Sequence, residues 1–116
     1  MAVQAAWDNH FSAFGAQDVE KILEDYTEDS HVVVWDTATG TRSDFKGLEQ
    51  VRACFVGLFE KLSDLSTLAA PVVEVQEEQG MVFLVWECPG SGVAKATDTF
   101  VFVGNKIKRQ NVVVFN

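Results

Sequence analysis

Basic residues are scarce in this sequence. Nine Lys and Arg side chains stand against seventeen Asp and Glu side chains, and the formal net charge is -8. Nucleic acid requires a surface rich in Lys and Arg to match its phosphates, and anionic membrane surfaces have the same requirement. We therefore expect neither a nucleic-acid partner nor a membrane partner.

Cysteine and long apolar runs are also scarce. The two cysteines, Cys54 and Cys88, form no CxxC pair and no disulfide framework, which favours a reducing compartment. No stretch approaches the length of a membrane span, and "MAVQAAWDNHF" lacks the basic and apolar regions of a signal peptide. These features predict a soluble, cytoplasmic protein.

The familiar cofactor motifs are missing as well. There is no P-loop, no Rossmann glycine pattern and no G-x-S-x-G elbow. The two histidines are far apart and have no carboxylate at ligand spacing, so we expect no metal site and no cofactor. What is present is a chain of 116 residues, 47% of them hydrophobic, which is enough for one domain over residues 1–116 with a buried core.

Three amphipathic helices are predicted. Residues 3–14 carry apolar side chains at helical spacing, and Gly15 ends the run. Residues 18–27 repeat the pattern, with acidic residues near the start where the helix dipole favours them. Residues 48–62, "LEQVRACFVGLFEKL", form the third amphipathic pattern.

Six strands are predicted before and after the third helix. "HVVVW" is β-branched and aromatic, and "RSDF" is a short return strand after the turn "DTATGT". Four longer strands follow: "PVVEVQ", "MVFLVWEC", "GVAKATDTFVFV" and "KIKRQNVVVF". Helices packed on one face of an antiparallel sheet give an α+β fold class.

Asp98 stands out because it shares a strand face with Phe100 and Phe102, where a carboxylate needs a partner or a task. If the preceding hairpin turns at "PGSG", Phe83 pairs with Asp98. One face then carries Phe83, Val85, Glu87, Ala94, Ala96, Asp98, Phe100 and Phe102. This mixture of aromatic, small and acidic side chains is typical of a cavity wall. In the alternative interpretation, Asp98 caps a backbone N–H and Glu87 is solvated.

Three segments carry a resemblance to a known superfamily: "ILEDYTEDSHVVV", "FKGLEQVRACF" and "TDTFVFVGNKIKRQ". They resemble the nuclear transport factor two-like proteins, which include ketosteroid isomerase, scytalone dehydratase and the SnoaL-like polyketide cyclases. The resemblance covers essentially the whole chain. It implies a cone-shaped, strongly curved, mainly antiparallel sheet wrapped around three N-terminal helices, with a deep apolar pocket. Because this fold hosts both enzymes and non-enzymes, the fold alone does not decide the function.

The resemblance also places the isomerase site on this chain. The strand aspartate that stabilises the substrate oxygen falls on Asp98, and the helix tyrosine falls on His10, which can donate a hydrogen bond and titrate near neutral pH. The base position falls on Val34, which transfers no proton, and Asp36 is the nearest substitute. The steroid-isomerase mechanism as such is therefore ruled out unless another group replaces the base.

His10 and Asp98 are the candidate catalytic pair, expected to face each other across the pocket floor. Burial should raise the pKa of Asp98 above about 3.9, unless a protonated His10 holds it ionised. In the alternative interpretation, His10 is a structural residue beside an apolar helical stripe. The predicted ligand-binding set comprises Phe14, Tyr26, Val34, Asp36, Phe55, Phe59, Phe83, Val85, Glu87, Phe100, Phe102 and Val112.

Three functions agree with this sequence. The first is an acid–base isomerase, dehydratase or cyclase acting on a small hydrophobic carbonyl compound. The second is a non-catalytic binder of a hydrophobic ligand, which Val34 favours, and the third is a protein-interaction module. Trp35 and Trp86 are predicted on the outer sheet face, where large exposed aromatic side chains indicate a homodimer.

Overall fold

The elements of the chain follow the predicted order in a computed structural model that describes residues 2–116. They are α1 (Ala2–Gly15), α2 (Val19–Leu23), β1 (Tyr26–Asp36), β2 (Thr41–Lys46), α3 (Gly47–Lys61), β3 (Ala69–Gln76), β4 (Met81–Cys88), β5 (Val93–Val103) and β6 (Lys106–Phe115). Short 3-10 turns, Glu77–Gln79 and Pro89–Ser91, connect β3 to β4 and β4 to β5. The α+β class is confirmed, with three helices and a curved, mainly antiparallel sheet of six strands.

The strand order in the sheet is β2-β1-β6-β5-β4-β3. β1 pairs with β6 in parallel, and every other neighbouring pair is antiparallel. β5 and β6 are therefore interior strands, with partners on both edges. Polar side chains that point from these two strands toward the helices are removed from water and need partners within the protein.

The second helix is shorter than the sequence pattern predicts. The Asp18 side chain caps its start by accepting the backbone N–H of Lys21, at 3.2 Å. The predicted end at residue 27 is wrong, because the helix ends at Leu23 and β1 begins at Tyr26. The backbone carbonyl of Asp25 accepts the Ile107 N–H at 2.7 Å, so pairing with β6 overrides the local helical pattern.

A β-bulge decides which face of β4 points toward the helices. Cys88 pairs with Val93 next to the turn, in the register that the turn at "PGSG" predicts. Beyond it, Trp86 pairs with Ala96, so β5 holds one extra residue against β4. Since side chains alternate along a strand, this extra residue in β5 puts the even-numbered side chains of β4, and not the odd-numbered ones, on the same face as Asp98.

The predicted pairing of Phe83 with Asp98 is therefore wrong, because Asp98 pairs with Leu84. Phe83, Val85 and Glu87 lie on the outer face of the sheet, and Leu84 and Trp86 lie on the concave face. The prediction that Trp86 is exposed on the outer face is also wrong, since only 5% of its surface is accessible. Trp35 remains on the outer face and is 43% exposed.

The helices cover the concave face. The Glu77 carboxylate, in the turn after β3, holds the start of α1 by accepting the backbone N–H groups of Val3 and Gln4, at 2.9 and 3.1 Å. These N–H groups have no partner within the helix, and an acidic side chain at this end also complements the helix dipole. No helix in residues 2–116 is long and apolar enough to span a membrane.

Candidate functional site

A cavity of about 410 Å³ lies between α1, α3 and the concave face of the sheet. This volume is within the usual range for small-molecule sites. Exposed wall residues such as Phe11, Ser43 and Lys61 mark the rim, and buried ones such as His10 and Asp98 mark the interior. The predicted site residues in its wall are His10, Phe14, Val34, Asp36, Phe55, Asp98, Phe100 and Val112.

The other predicted ligand-binding residues do not line this cavity. Phe83, Val85 and Glu87 are on the outer face because of the bulge. Phe59 packs behind the wall, against the rings of Phe14 and Phe55. Phe102 is buried beside Phe100, and Tyr26 is buried behind Gln110.

Asp98 is held in the cavity wall by two N–H donors. The Trp86 indole Nε1–H donates to Oδ1 at 2.9 Å, and the Gln110 amide Nε2 donates to Oδ2 at 2.9 Å. The Tyr26 hydroxyl donates in turn to the Gln110 carbonyl oxygen, which sets the orientation of that amide. The Asp98 carboxylate is thus fixed in position and buried, since only 6% of the residue is exposed.

The pKa of Asp98 reflects two opposing effects. Burial raises it to about 6, while the hydrogen bonds from Trp86 and Gln110 lower it. The predicted direction is confirmed, although Phe83 lies on the outer face of the sheet and not beside Asp98 on the concave face. A carboxyl group with a pKa near 6 gains and loses a proton close to neutral pH, as general acid–base chemistry requires.

His10 occupies an aromatic cage. Its ring lies 5.2 to 6.0 Å, centroid to centroid, from the rings of Trp7, Tyr26, Phe55 and Phe100. Burial lowers the pKa of His10 to about 4, so the imidazole is neutral at pH 7. A neutral imidazole has one donor nitrogen and one acceptor nitrogen, and it can offer a ligand either of them.

The predicted contact between His10 and Asp98 is not formed, since no hydrogen bond or ion pair joins them in the described part of the chain. Asp98 bonds Trp86 and Gln110 instead, and the carboxylate beside His10 is Asp25, with 3.9 Å between Nδ1 and Oδ2. The prediction overlooked these partners because they come from other strands and from the end of α2.

Val34, on which the resemblance places the isomerase base, lines the cavity and carries no group that transfers a proton. Asp36 reaches the cavity only near the start of the β1–β2 turn, where its carboxylate accepts the Ala38 N–H at 2.9 Å. Cys54 also lines the cavity, but burial raises the pKa of its thiol to about 12, so it is no nucleophile at neutral pH. Asp98 and His10 are the buried titratable groups of the cavity wall.

Comparison with known proteins identifies the family of this chain and finds solved structures with the same fold. A family model described as "SnoaL-like domain" matches residues 7–110. The chain belongs to the SnoaL-like domain family. A search of curated proteins found no significant match.

Several solved structures share the fold at low sequence identity. A protein of unknown function with a cystatin-like fold from Methylobium petroleophilum PM1 is 12% identical, with a TM-score of 0.75 over 99% of this chain and 76% of that one. A putative polyketide cyclase from Sinorhizobium meliloti is 18% identical, with a TM-score of 0.65 over 93% of both chains. A ketosteroid isomerase-like protein from Erwinia carotovora atroseptica SCRI1043 is 18% identical, with a TM-score of 0.57 over 99% of this chain and 95% of that one. At these identities the similarity establishes the fold and no particular reaction.

The sequence did not predict two residues of this SnoaL-like site, Trp86 and Gln110, or the neighbouring Asp25. Trp86 was assigned to the outer face because the bulge in β5 leaves no signal in the alternation of β4. Gln110 lies in "KIKRQNVVVF", where strand parity alone would have placed it on the face of Val112. Asp25, in "ILEDYTEDS", was read as part of a helix, although its position beside Tyr26 placed it close to the predicted pocket.

Proposed function

We propose that this SnoaL-like domain binds a small hydrophobic compound bearing a carbonyl group and transfers a proton on it, as an isomerase, dehydratase or cyclase does. The observation that carries the proposal is Asp98: a buried carboxyl group, fixed by two N–H donors, in the wall of a largely apolar cavity of about 410 Å³. Burial of a carboxylate is unfavourable, and a binding or catalytic role accounts for its retention.

In this proposal Asp98 is the general base. With a pKa of about 6 it is mostly ionised at pH 7, and each oxygen keeps a lone pair beyond the one that accepts from Trp86 or Gln110. The carboxylate can therefore remove a proton from the carbon next to a carbonyl and return it elsewhere. The two N–H donors hold the group still, which positions it for the transfer.

His10 is the second polar group of the proposed site. It is neutral at pH 7 and belongs to the same wall, so it can bond to a ligand oxygen without introducing a charge. The surrounding aromatic rings exclude water, which strengthens such a hydrogen bond.

A second candidate function is non-catalytic binding of the same class of compound. Val34 in the isomerase base position favours it, as does the engagement of both Asp98 oxygens by protein donors. In that case Asp98 contributes only a hydrogen bond that orients the ligand.

The test is deuterium exchange at the α-carbon of 2-tetralone, an apolar bicyclic ketone, followed by proton NMR in D₂O. We expect the wild-type protein to accelerate exchange and Asp98→Asn to lose about 10²–10⁴-fold of that acceleration while still binding the ketone. Asp44→Asn, which removes an exposed carboxylate bonded to Arg42, is the matched control and should exchange like wild type. Binding without acceleration would favour the non-catalytic function, and absence of binding would refute both.

We also propose a homodimer through the outer sheet face, with a second copy of this chain as the partner. A mainly apolar row crosses five adjacent strands there: Trp35, Val113, Thr97, Val85 and Val72. Trp35 and Val72 are 43% and 40% exposed. None of these five side chains is charged, so packing them against a second copy buries no charge of the row itself.

A further inference from the structure

Asp25 is a buried carboxylate outside the cavity wall. It follows α2, only 5% of it is exposed, and both of its oxygens accept from the Asn9 side-chain amide, at 3.1 and 2.9 Å. Its backbone is held on both sides, since its N–H donates to Ile22 and its carbonyl accepts from Ile107. The side chain is therefore fixed, and the proposed reaction at Asp98 gives it no role.

Asp25 lies beside Nδ1 of His10, a buried nitrogen that has no hydrogen-bond partner among the described residues. Nδ1 of His10 is enclosed and makes no hydrogen bond to any residue from 2 to 116, and Asp25 Oδ2 lies 3.9 Å from it. An enclosed polar atom without a partner is costly, and a shift of about 1 Å would bring the two atoms to hydrogen-bond distance. No other carboxylate is paired with His10 among the described residues.

The pair connects two separate spaces. His10 lines the main cavity, and Asp25 lines a smaller cleft of about 260 Å³ together with Asn9, Glu24 and Lys106. The two spaces share no lining residue. The contact between Nδ1 and Oδ2 therefore crosses the wall that separates them.

We propose that Asp25 is a positioning residue that keeps the proton of neutral His10 on Nδ1, so that Nε2 faces the main cavity as a hydrogen-bond acceptor. This deepens the proposed function and rests on it, since it specifies the ligand: a compound that presents a donor, such as a hydroxyl or enol group, to His10. If Nε2 takes the proton of a ligand hydroxyl, the Nδ1 proton passes to Asp25 Oδ2 and from there to water in the smaller cleft. The ligand is left as its anion and water as hydronium, so charge and proton count balance, and the reverse transfer restores the Nδ1-protonated form when the ligand takes a proton back.

The charges around Asp25 agree with this role. Burial raises the pKa of Asp25 to about 6, the hydrogen bond from Asn9 and the charge of Lys106 lower it, and the charge of Glu24 raises it. Asp25 is therefore mostly ionised at pH 7, as an acceptor for Nδ1–H must be, and it remains close enough to neutrality to accept a proton.

The first experiment determines the tautomer of His10 by long-range ¹H–¹⁵N NMR at pH 7. The protein has two histidines, and His31→Gln assigns the signals of the other. We expect the Nδ1-protonated form to predominate in the wild type, and an Nε2-protonated form would overturn the inference. Asp25→Leu should abolish the preference and Asp25→Asn, which keeps an acceptor oxygen, should restore it. An unchanged tautomer in Asp25→Leu would also overturn the role of Asp25.

The control is the second histidine–carboxylate pair. His31 Nε2 lies 2.7 Å from Asp44 Oδ2 on the outer face, so Asp44→Asn should move only the His31 signals. Should Asp25→Leu fail to fold, the wild-type tautomer and Asp25→Asn still decide the question.

The second experiment separates this inference from the proposed function. 2-Naphthol carries a hydroxyl donor, whereas 2-methoxynaphthalene has the same rings and no donor. We expect both probes to shift cavity signals and only 2-naphthol to shift the Nε2 resonance of His10. A bound naphthol that leaves Nε2 unchanged would overturn the inferred ligand class. If neither probe enters the cavity, the proposed function fails, and the tautomer measurement alone decides whether Asp25 positions His10.

Discussion

The pKa of Asp98 predicts how the stability of the protein should change with pH. Burial raises that pKa from 3.8 to about 6, so between these values the folded state binds a proton that the unfolded chain releases. Stability from this group is fully present below the unfolded pKa and falls as pH rises through the folded one. A shift of about two pKa units corresponds to about 3 kcal/mol.

Asp98→Asn removes this titration and nearly preserves the volume. Asparagine has one acceptor oxygen for the two donors Trp86 and Gln110, so one N–H loses its partner at a cost of about 1–3 kcal/mol. Reversal of the Gln110 amide reduces that cost, because the Tyr26 hydroxyl can then accept instead of donate. This offset does not depend on pH.

The assay is urea unfolding of both proteins from about pH 4 to pH 8. Asp25 and His10 also titrate differently in the folded and unfolded chains, but both groups are present in both proteins and cancel in the difference. The stability of Asp98→Asn relative to wild type should rise by about 2 kcal/mol across this range, with most of the change below pH 6. Parallel stability curves would refute the assignment of a buried, titrating Asp98.

Three further predictions follow from the same contacts. His10 has its pKa lowered to about 4 by burial, so its contribution to stability should be lost as pH falls from about 6.5 toward 4, and urea unfolding should show the wild type losing stability relative to His10→Phe over this range. Trp86→Phe removes the indole donor, should cost about 1–3 kcal/mol, and should raise the pKa of Asp98 further in a carboxyl NMR titration; an unchanged pKa would contradict the hydrogen bond. Sedimentation at micromolar concentration should show that the wild type is a dimer and that the Trp35→Lys variant is a monomer. The interface of that dimer should bury at least about 1,000 Å². A monomeric wild type would contradict the proposed outer-face dimer.

Much of the fold is predictable from local pattern. The apolar spacing of residues 3–14 and 48–62 predicts α1 and α3. The alternation in "TDTFVFV" correctly places Asp98 and Phe100 on the same face of the sheet, which is the concave one. These predictions succeed because helical and strand periodicity depend on neighbouring residues in the chain. The predicted end of α2 at residue 27 is wrong because Tyr26 pairs with Ile107 of β6, which is distant in sequence.

The candidate site divides in the same way. The sequence by itself determined an inward-facing Asp98 and an aromatic stripe on α1 that includes His10. Only the tertiary structure decided the partners, Trp86 for Asp98 and Asp25 for His10. The physical reason is that a single extra residue in β5 reverses the facing of all of β4, and such a bulge is selected by the packing of the whole sheet and leaves no mark on local alternation.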